Sequence, residues 1–473
     1  MATAPARIIV TTDPELDDLN SMLRLLLYSN EIDIAALVYS ASQVHHAGDE
    51  SRGIAPHRWP APGARMHIDL AVDAYAEVHE NLVRHDDRYP DPERLRALIA
   101  VGNVGEVGDM REPTAGSDLV RDVLLGDAPG KIFAQAWGGM NTIARALKSI
   151  EEQYRGTSQW EVIRALVVGR TVITSFGEQD DAFAAYIRPV WPEIEFRDVA
   201  TTAWGYFAWH VVPDGAAEYL SAEWMRQHVS SVGPLGKAYR VWGDGEQMAD
   251  GFDPEDYFGV RGASADDLVA RGYQLWAPLH DAGAWISEGD SSNFAMHIDN
   301  GLRNAEHPSF GGWGGRQTPH ADDPNRWDSA GAVSWTPGAP ITDAGDAGRW
   351  IGAFQRDFAA RLRWTVTADP ADANHAPRVS ATGLDRAVRP GERVQLDFTV
   401  VDPDGGDISV TAFQDQGSDS EIVVLPGKCL VRVAADAVQG EQIHVIVEAV
   451  DDGVPALTGY ARFVLTVGAG PAS

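Results

Sequence analysis

At 473 residues, with 44% hydrophobic residues and 15 tryptophans, the chain has the length for two cores and too much apolar content for disorder. Its formal net charge of −31 argues against the basic face that a nucleic acid polymer or an anionic membrane requires. Cys429 is the single cysteine, so neither an internal disulfide framework nor a thiolate metal cage is available.

Residues 1–7 lack a basic region followed by an apolar stretch, and no run approaches the roughly 20 apolar residues of a membrane span. The expectation is a chain without a signal peptide, either cytoplasmic or a trimmed secreted form. A first strand is expected at Ile8-Ile9-Val10, and a helix through Met22, Leu23, Leu25, Leu26 and Leu27. Further strands are expected at residues 32–39, 131–137 and 162–168, with a helix through Ile143, Ala144, Ala146 and Leu147. Short, continuous apolar strands alternating with helices suit a mainly parallel sheet covered on both faces. Residues 206–335 are less regular and rich in Trp, Gly and His, as the rim of a pocket would be.

Composition shifts at residues 369–376, whose Pro, Asp and Asn content reads as a linker. Beyond it, Val394, Leu396, Phe398 and Val400 alternate, as do Ile443, Val445 and Val447, then Phe463, Leu465 and Val467. With turns such as Asp402-Pro403-Asp404-Gly405-Gly406, this pattern predicts an antiparallel Ig-like β-sandwich of about 95 residues. The expected organisation is an α/β domain over 1–368, the linker, and an all-β domain over 377–473.

Between the first strand and first helix lies Asp13-Pro14-Glu15-Leu16-Asp17-Asp18. Open α/β sheets bind ligands in the crevice beyond the carboxyl ends of their strands. Carboxylates crowded there repel one another unless a hard cation sits among them or one stays protonated. Favouring the helix dipole would use one aspartate, worth about 0.3–1 kcal/mol, and would leave Asp13 without a purpose.

At these residues the chain resembles the nucleoside hydrolase superfamily, whose members carry an aspartate after the first strand and an Asp-Asp pair shortly after. Gly138-Gly139-Met140-Asn141-Thr142-Ile143-Ala144 is similar to the family's Gly-Pro-Leu-Thr-Asn-Ile-Ala turn. More of the chain resembles a divergent branch with a C-terminal Ig/cadherin-like sandwich, often labelled cellulose-binding protein. The resembling stretches include residues 21–30, 285–290, 311–316, 400–405 and 448–453. The resemblance implies a nucleoside hydrolase-like fold and Ca²⁺ held by Asp13, Asp18, a backbone carbonyl at Asn141 and a late aspartate. Asp290 is preferred for that last ligand over Asp281, because its flanking residues match the divergent branch. The resemblance also makes Asp13 the general base and Asp17 an acceptor from vicinal sugar hydroxyls.

The chain departs from the family pattern. Glu15 stands where glycine is usual, Ser40-Ala41-Ser42-Gln43 lacks the family's asparagine, and residues 177–181 match the ribose-gripping Glu-Phe-Asn segment only loosely, through Gln179. The resemblance therefore does not extend to ribonucleoside specificity, and the sugar stays open. Trp313 and Arg316, in a glycine-rich loop, are candidates for stacking on and hydrogen bonding to that sugar. His45, His46, His57 and His67 match no metal motif and read as surface-loop residues. The acidic turns at Asp402/Asp404 and Asp451/Asp452 read as ordinary hairpin turns.

The function expected is a calcium-dependent glycosidase acting on an N- or O-glycosidic bond of a sugar-containing small molecule or oligosaccharide, in a possible homo-oligomer. A non-catalytic carbohydrate-binding protein on the same scaffold is the alternative.

Overall fold

The structure, a computed structural model, describes residues 5–247, 257–330 and 347–468. The α/β part contains strands β1 (Ala6–Thr12), β2 (Ile32–Tyr39), β3 (Ile99–Val101), β4 (Ile132–Ala136), β5 (Thr171–Ser175), β6 (Glu195–Asp198), β7 (Gln317–Pro319) and β8 (Arg326–Ser329). They form one sheet in the order β3-β2-β1-β4-β5-β6-β8-β7, in which only the β7–β8 pairing is antiparallel.

Side-chain alternation sends neighbouring residues of β1 into different cores. Ile8 and Val10 join the layer covered by α1 (Leu16–Leu26), α2 (His67–His85) and the helix Ile351–Trp364. Ile9 joins the layer beneath the helices Ala115–Leu125 and Asn141–Tyr154. Burial on both sides is why these strands read as unbroken apolar runs. The same ambiguity misleads at residues 162–168, where a strand is expected and the structure has the helix Trp160–Arg170, with β5 following it. Val162 and Leu166 point outward while Val167 and Arg170 are buried, a helical spacing that the apolar run conceals. Among the described residues no helix is long and apolar enough to cross a membrane.

The C-terminal part has strands β9 (Arg378–Ala381), β10 (Asp385–Val388), β11 (Arg393–Val401), β12 (Ile408–Gln416), β13 (Glu421–Leu425), β14 (Lys428–Arg432), β15 (Gln442–Asp451) and β16 (Thr458–Val467). They form two four-stranded sheets, β10-β16-β15-β12 and β13-β14-β11-β9. Leu396, Phe398, Ile443, Val445, Val447, Phe463 and Leu465 fill the space between them. The outer face of the first sheet does not meet solvent: Ile446 and Tyr460 belong to the α/β core, and Phe413 packs against it.

That junction is hydrogen-bonded as well as apolar. Tyr460 N–H donates to Asn300 O at 2.9 Å, and the fully buried Arg462 donates to Leu302 O (2.7 Å), Gly311 O (3.1 Å) and Asp415 Oδ2 (2.7 Å). Gly301, at φ +88°, lies so close that a β-carbon would overlap Tyr460 O. Asp415 also faces Arg316 at 3.2 Å and Arg349 at 3.4 Å, so one buried carboxylate serves three guanidiniums. Removing one member of a buried ion pair leaves its partners uncompensated. Asp415→Ala is expected to lower the unfolding free energy by about 3–5 kcal/mol in urea titrations, more than any single surface pair contributes.

Candidate metal centre and active site

The strand order reverses between β2-β1 and β4-β5, so the carboxyl ends of β1 and β4 bound a crevice at a topological switch point. β1 ends at Thr12 and α1 begins at Leu16, which places Asp13, Pro14 and Glu15 across that crevice. Asp13, Asp17, Asp18 and Asp290 are all buried there.

Asp13 is asymmetrically bound. Its Oδ2 accepts from the Ser42 hydroxyl at 2.7 Å and lies 2.8 Å from His45 Nδ1, whereas its buried Oδ1 has no hydrogen-bond partner. Gly138 packs against that free oxygen, and a β-carbon at this position would overlap it. Asp18 Oδ1 accepts from the Thr12 hydroxyl and, at 3.2 Å, from Asp13 N–H. Asp17 Oδ2 accepts from Ser287 Oγ at 3.1 Å, and its Oδ1 is a second buried oxygen without a partner. Asp290 immediately precedes the short helix Ser291–Ala295. Glu15 Oε2 approaches His45 Nδ1 to 3.8 Å, and its side chain is 22% exposed.

The two segments that carry these residues are tied together by Arg24, on the last turn of α1. Its guanidinium makes a bidentate pair with the fully buried Glu288 and also donates to Phe354 O (3.1 Å) and Gln355 Oε1 (2.6 Å). Tyr239 donates its hydroxyl to the same Glu288. Helix α1, bearing Asp17 and Asp18, is thereby clamped to the loop bearing Ser287 and Asp290.

Burial and mutual repulsion disfavour the ionised cluster. Asp18 and Asp290 are held well above the usual carboxylate range, first by burial and then by neighbouring carboxylates: Asp290 foremost for Asp18, Asp17 foremost for Asp290. Burial also raises Glu15, with Asp17 and Asp13 adding to it, while Arg58 and a hydrogen bond with Tyr206 pull it back. Asp17 is pushed up to about 6 by burial, against the lowering effect of Ser287. Burial lowers His45, against the raising effect of Asp13, and drives His67, 2.9 Å from Thr12 Oγ1, down to about 3, so the His67 imidazole is neutral at pH 7. Oxygen-rich, negatively charged and containing two unpartnered buried oxygens, the residues present fit a hard divalent cation.

The other expected site residues are placed as follows. Asn141 opens the helix Asn141–Tyr154, with its N–H on Asp180 Oδ2 (2.7 Å) and its side chain on Asn103 O (2.7 Å). Gln179 is half-buried beside the ends of β4 and β5 and donates to Trp137 O at 3.0 Å. Trp313 and Arg316 have a different neighbourhood from the one expected. Trp313 is buried, packed edge-on to Phe354 and giving its carbonyl to Trp204 Nε1, while Arg316 reaches Ser309 O and Asp415 at the domain junction. Asp281 is exposed, in contrast to Asp290.

Two histidines overturn the surface-loop expectation. His45 and His67 are buried, one against Asp13 and the other against Thr12, because the loop after β2 folds inward over the crevice. Sequence reasoning also missed Ser42, Asp180 and Glu15 as members of the site. Glu15 carried a signal, since an extra carboxylate in an already crowded turn is a cost that needs a reason.

The family described as "Cellulose-binding Sde182, nucleoside hydrolase-like domain" matches residues 7–317, and the C-terminal domain of cellulose-binding protein Sde0182 matches residues 393–467. The chain belongs to this family. None of the curated proteins matches it. Among solved structures it is similar to a nucleoside hydrolase-related hypothetical protein from Saccharophagus degradans that is associated with carbohydrate metabolism. That likeness has a TM-score of 0.69 at 20% identity and covers 98% of this chain and 100% of the other, which establishes the shared fold. The type III effector XopQ, solved with adenosine diphosphate ribose, aligns over 77% of this chain and 96% of its own at 12% identity, with a TM-score of only 0.36.

The shifted carboxyls set a pH dependence. Groups whose carboxyl pKa is raised by folding favour the fold while protonated, and that contribution is lost as pH rises through their folded values. Without a cation, stability therefore falls as pH climbs through about 6, where Asp17 ionises, and falls further as the more strongly raised carboxyls follow. A bound divalent ion opposes this loss. Thermal melts in EDTA and in millimolar calcium are expected to show a larger calcium-induced rise in Tm at pH 8 than at pH 5. Gly138→Ala, which drives a methyl group into Asp13 Oδ1, is expected to weaken calcium binding at least tenfold in calorimetric titration while the sheet stays folded by circular dichroism.

Proposed function

We propose that this chain is a calcium-dependent glycosidase of nucleoside hydrolase type, hydrolysing an N- or O-glycosidic bond of a sugar with vicinal hydroxyls. The observation that carries this reading is Asp13, with one carboxylate oxygen tethered by Ser42 and His45 and the other buried without a partner. Asp13, Asp18, Asp290 and the Asn141 carbonyl are the ligands assigned to calcium, which when bound supplies Lewis acidity and lowers the pKa of water.

Asp13 Oδ1 then takes the proton from the attacking water, while the bonds to Oδ2 fix the orientation of the carboxylate. Asp17 Oδ1 accepts hydrogen bonds from the vicinal hydroxyls, with Ser287 steadying the other oxygen. Gln179, at the edge of the crevice, is assigned to contact with the same sugar. As the glycosidic bond breaks, positive charge grows on the sugar ring, and the surrounding carboxylates stabilise it in a site with little bulk water. Trp313 and Arg316 are given no part in this scheme, because their contacts lie in the packed interior and the domain junction.

The family's description as cellulose-binding supports a second reading, carbohydrate binding without turnover. Glycan surfaces are usually gripped by exposed aromatic rings. In the described part of the sandwich the aromatic residues are Phe398, Phe413, Tyr460 and Phe463; Phe398 and Phe463 are inside it, and Phe413 and Tyr460 face the α/β domain. Glycan contact is therefore assigned to the α/β domain under both readings.

Release of base or reducing sugar, measured across nucleosides and plant or microbial oligosaccharides with calcium present, separates the two. The glycosidase reading expects turnover that falls by about 10²–10⁴-fold in Asp13→Asn with substrate affinity retained. Tight oligosaccharide binding with no turnover in the unaltered protein would instead support the binding reading.

A further inference from the structure

The calcium scheme leaves Glu15 without a task and uses His45 only to hold Asp13 Oδ2. Glu15 and His45 converge on Asp13 from different segments, the β1–α1 turn and the loop after β2, and ligand atoms of the three lie within 4.8 Å of one another. His45 Nδ1 is 2.8 Å from Asp13 Oδ2 and 3.8 Å from Glu15 Oε2. Ligands about 2.1 Å from one ion stand roughly 3.0–3.4 Å apart in octahedral or tetrahedral arrangements, so these separations bracket those of a first-row metal site. A second group, Glu15, Asp17 and Asp18, offers oxygen alone and shares Glu15 with the first.

Charge points the same way. Asp13, Glu15, Asp17, Asp18 and Asp290 bring five carboxyl groups into electrostatic contact, and Arg58 is the positive side chain that acts on Glu15. The partnerless, fully buried Asp13 Oδ1 and the partnerless Asp17 Oδ1 sit on the two sides of Glu15's position in the sequence, one in each ligand group.

We infer that the cluster holds two cation positions that share Asp13: the oxygen-only one of the calcium scheme, and a second, formed by Asp13, Glu15 and His45, that takes a nitrogen-accepting divalent ion such as Mn²⁺ or Zn²⁺. The hydrogen bond between His45 Nδ1 and Asp13 then marks where a proton gives way to the metal. An imidazole ligand discriminates against calcium, which prefers oxygen, and favours first-row transition ions. The inference uses the same aspartates as the proposed calcium site but does not require that site to be catalytic.

The test counts metals on the full-length chain. After saturation with calcium and removal of unbound ions, Mn²⁺ is titrated in and bound manganese and calcium are measured by elemental analysis. One added Mn²⁺ per chain with calcium retained is expected, and its pulsed electron paramagnetic resonance should show ¹⁴N coupling from a directly bound imidazole. His45→Gln should lose that coupling and weaken Mn²⁺ binding at least tenfold, a larger loss than it causes in calcium binding. Manganese that displaces calcium one for one, or that binds without ¹⁴N coupling in the unaltered protein, overturns the second position. If calcium fails to bind while one His45-dependent Mn²⁺ does, the calcium scheme falls and the mixed-ligand position stands.

Discussion

The site is governed by the cost of unneutralised charge in a closed space. Nothing about a parallel sheet requires Asp13, Asp17, Asp18 and Asp290 to share one buried volume, and electrostatics opposes it. The arrangement persists because stronger local constraints hold each member in place. Asp13 is held by Ser42 and His45, Asp18 by Thr12, and α1 by the clamp from Arg24 to Glu288. That clamp is itself a buried ion pair, which adds modest net stability but strictly fixes geometry. Its effect is on register: α1 is held against the loop that carries Asp290.

The sheet topology then decides where these residues can meet. Because the order reverses beside β1, the loops after β1 and β4 diverge to opposite sides and leave room between them. Gly138 keeps that room open, and Asp180 steadies the turn behind it by accepting the Asn141 N–H. The fold therefore supplies both the crowding and the space that makes crowding useful.

Much of this was legible in the sequence. The strand-turn-helix setting of Asp13, the sandwich alternation from Val394 to Val400, and the placement of Asp290 directly before a helix each follow from local pattern and agree with the structure. What was not legible depends on contacts between distant segments. His45 reads as a loop residue because nothing local reveals that the loop turns inward. Trp313 and Arg316 read as sugar contacts because an aromatic and a cation among glycines look exposed, whereas the glycines let Asn304 and Met296 approach the backbone closely. Residues 162–168 read as a strand rather than as part of the helix Trp160–Arg170 because apolar content alone does not carry a period.

The double-sided burial of β15 and β16 has a consequence for how such proteins diversify. A binding module that hangs from a tether can be exchanged between enzymes, since its surface owes nothing to its neighbour. Here one face of a sandwich sheet is part of the neighbour's interior, through Ile446 and Tyr460, and a buried arginine on the same strand is bonded to loops of the α/β domain. Neither half presents a finished exterior at the seam. The two must be inherited, expressed and evolved as one body, and a change in either half of the seam has to be answered in the other.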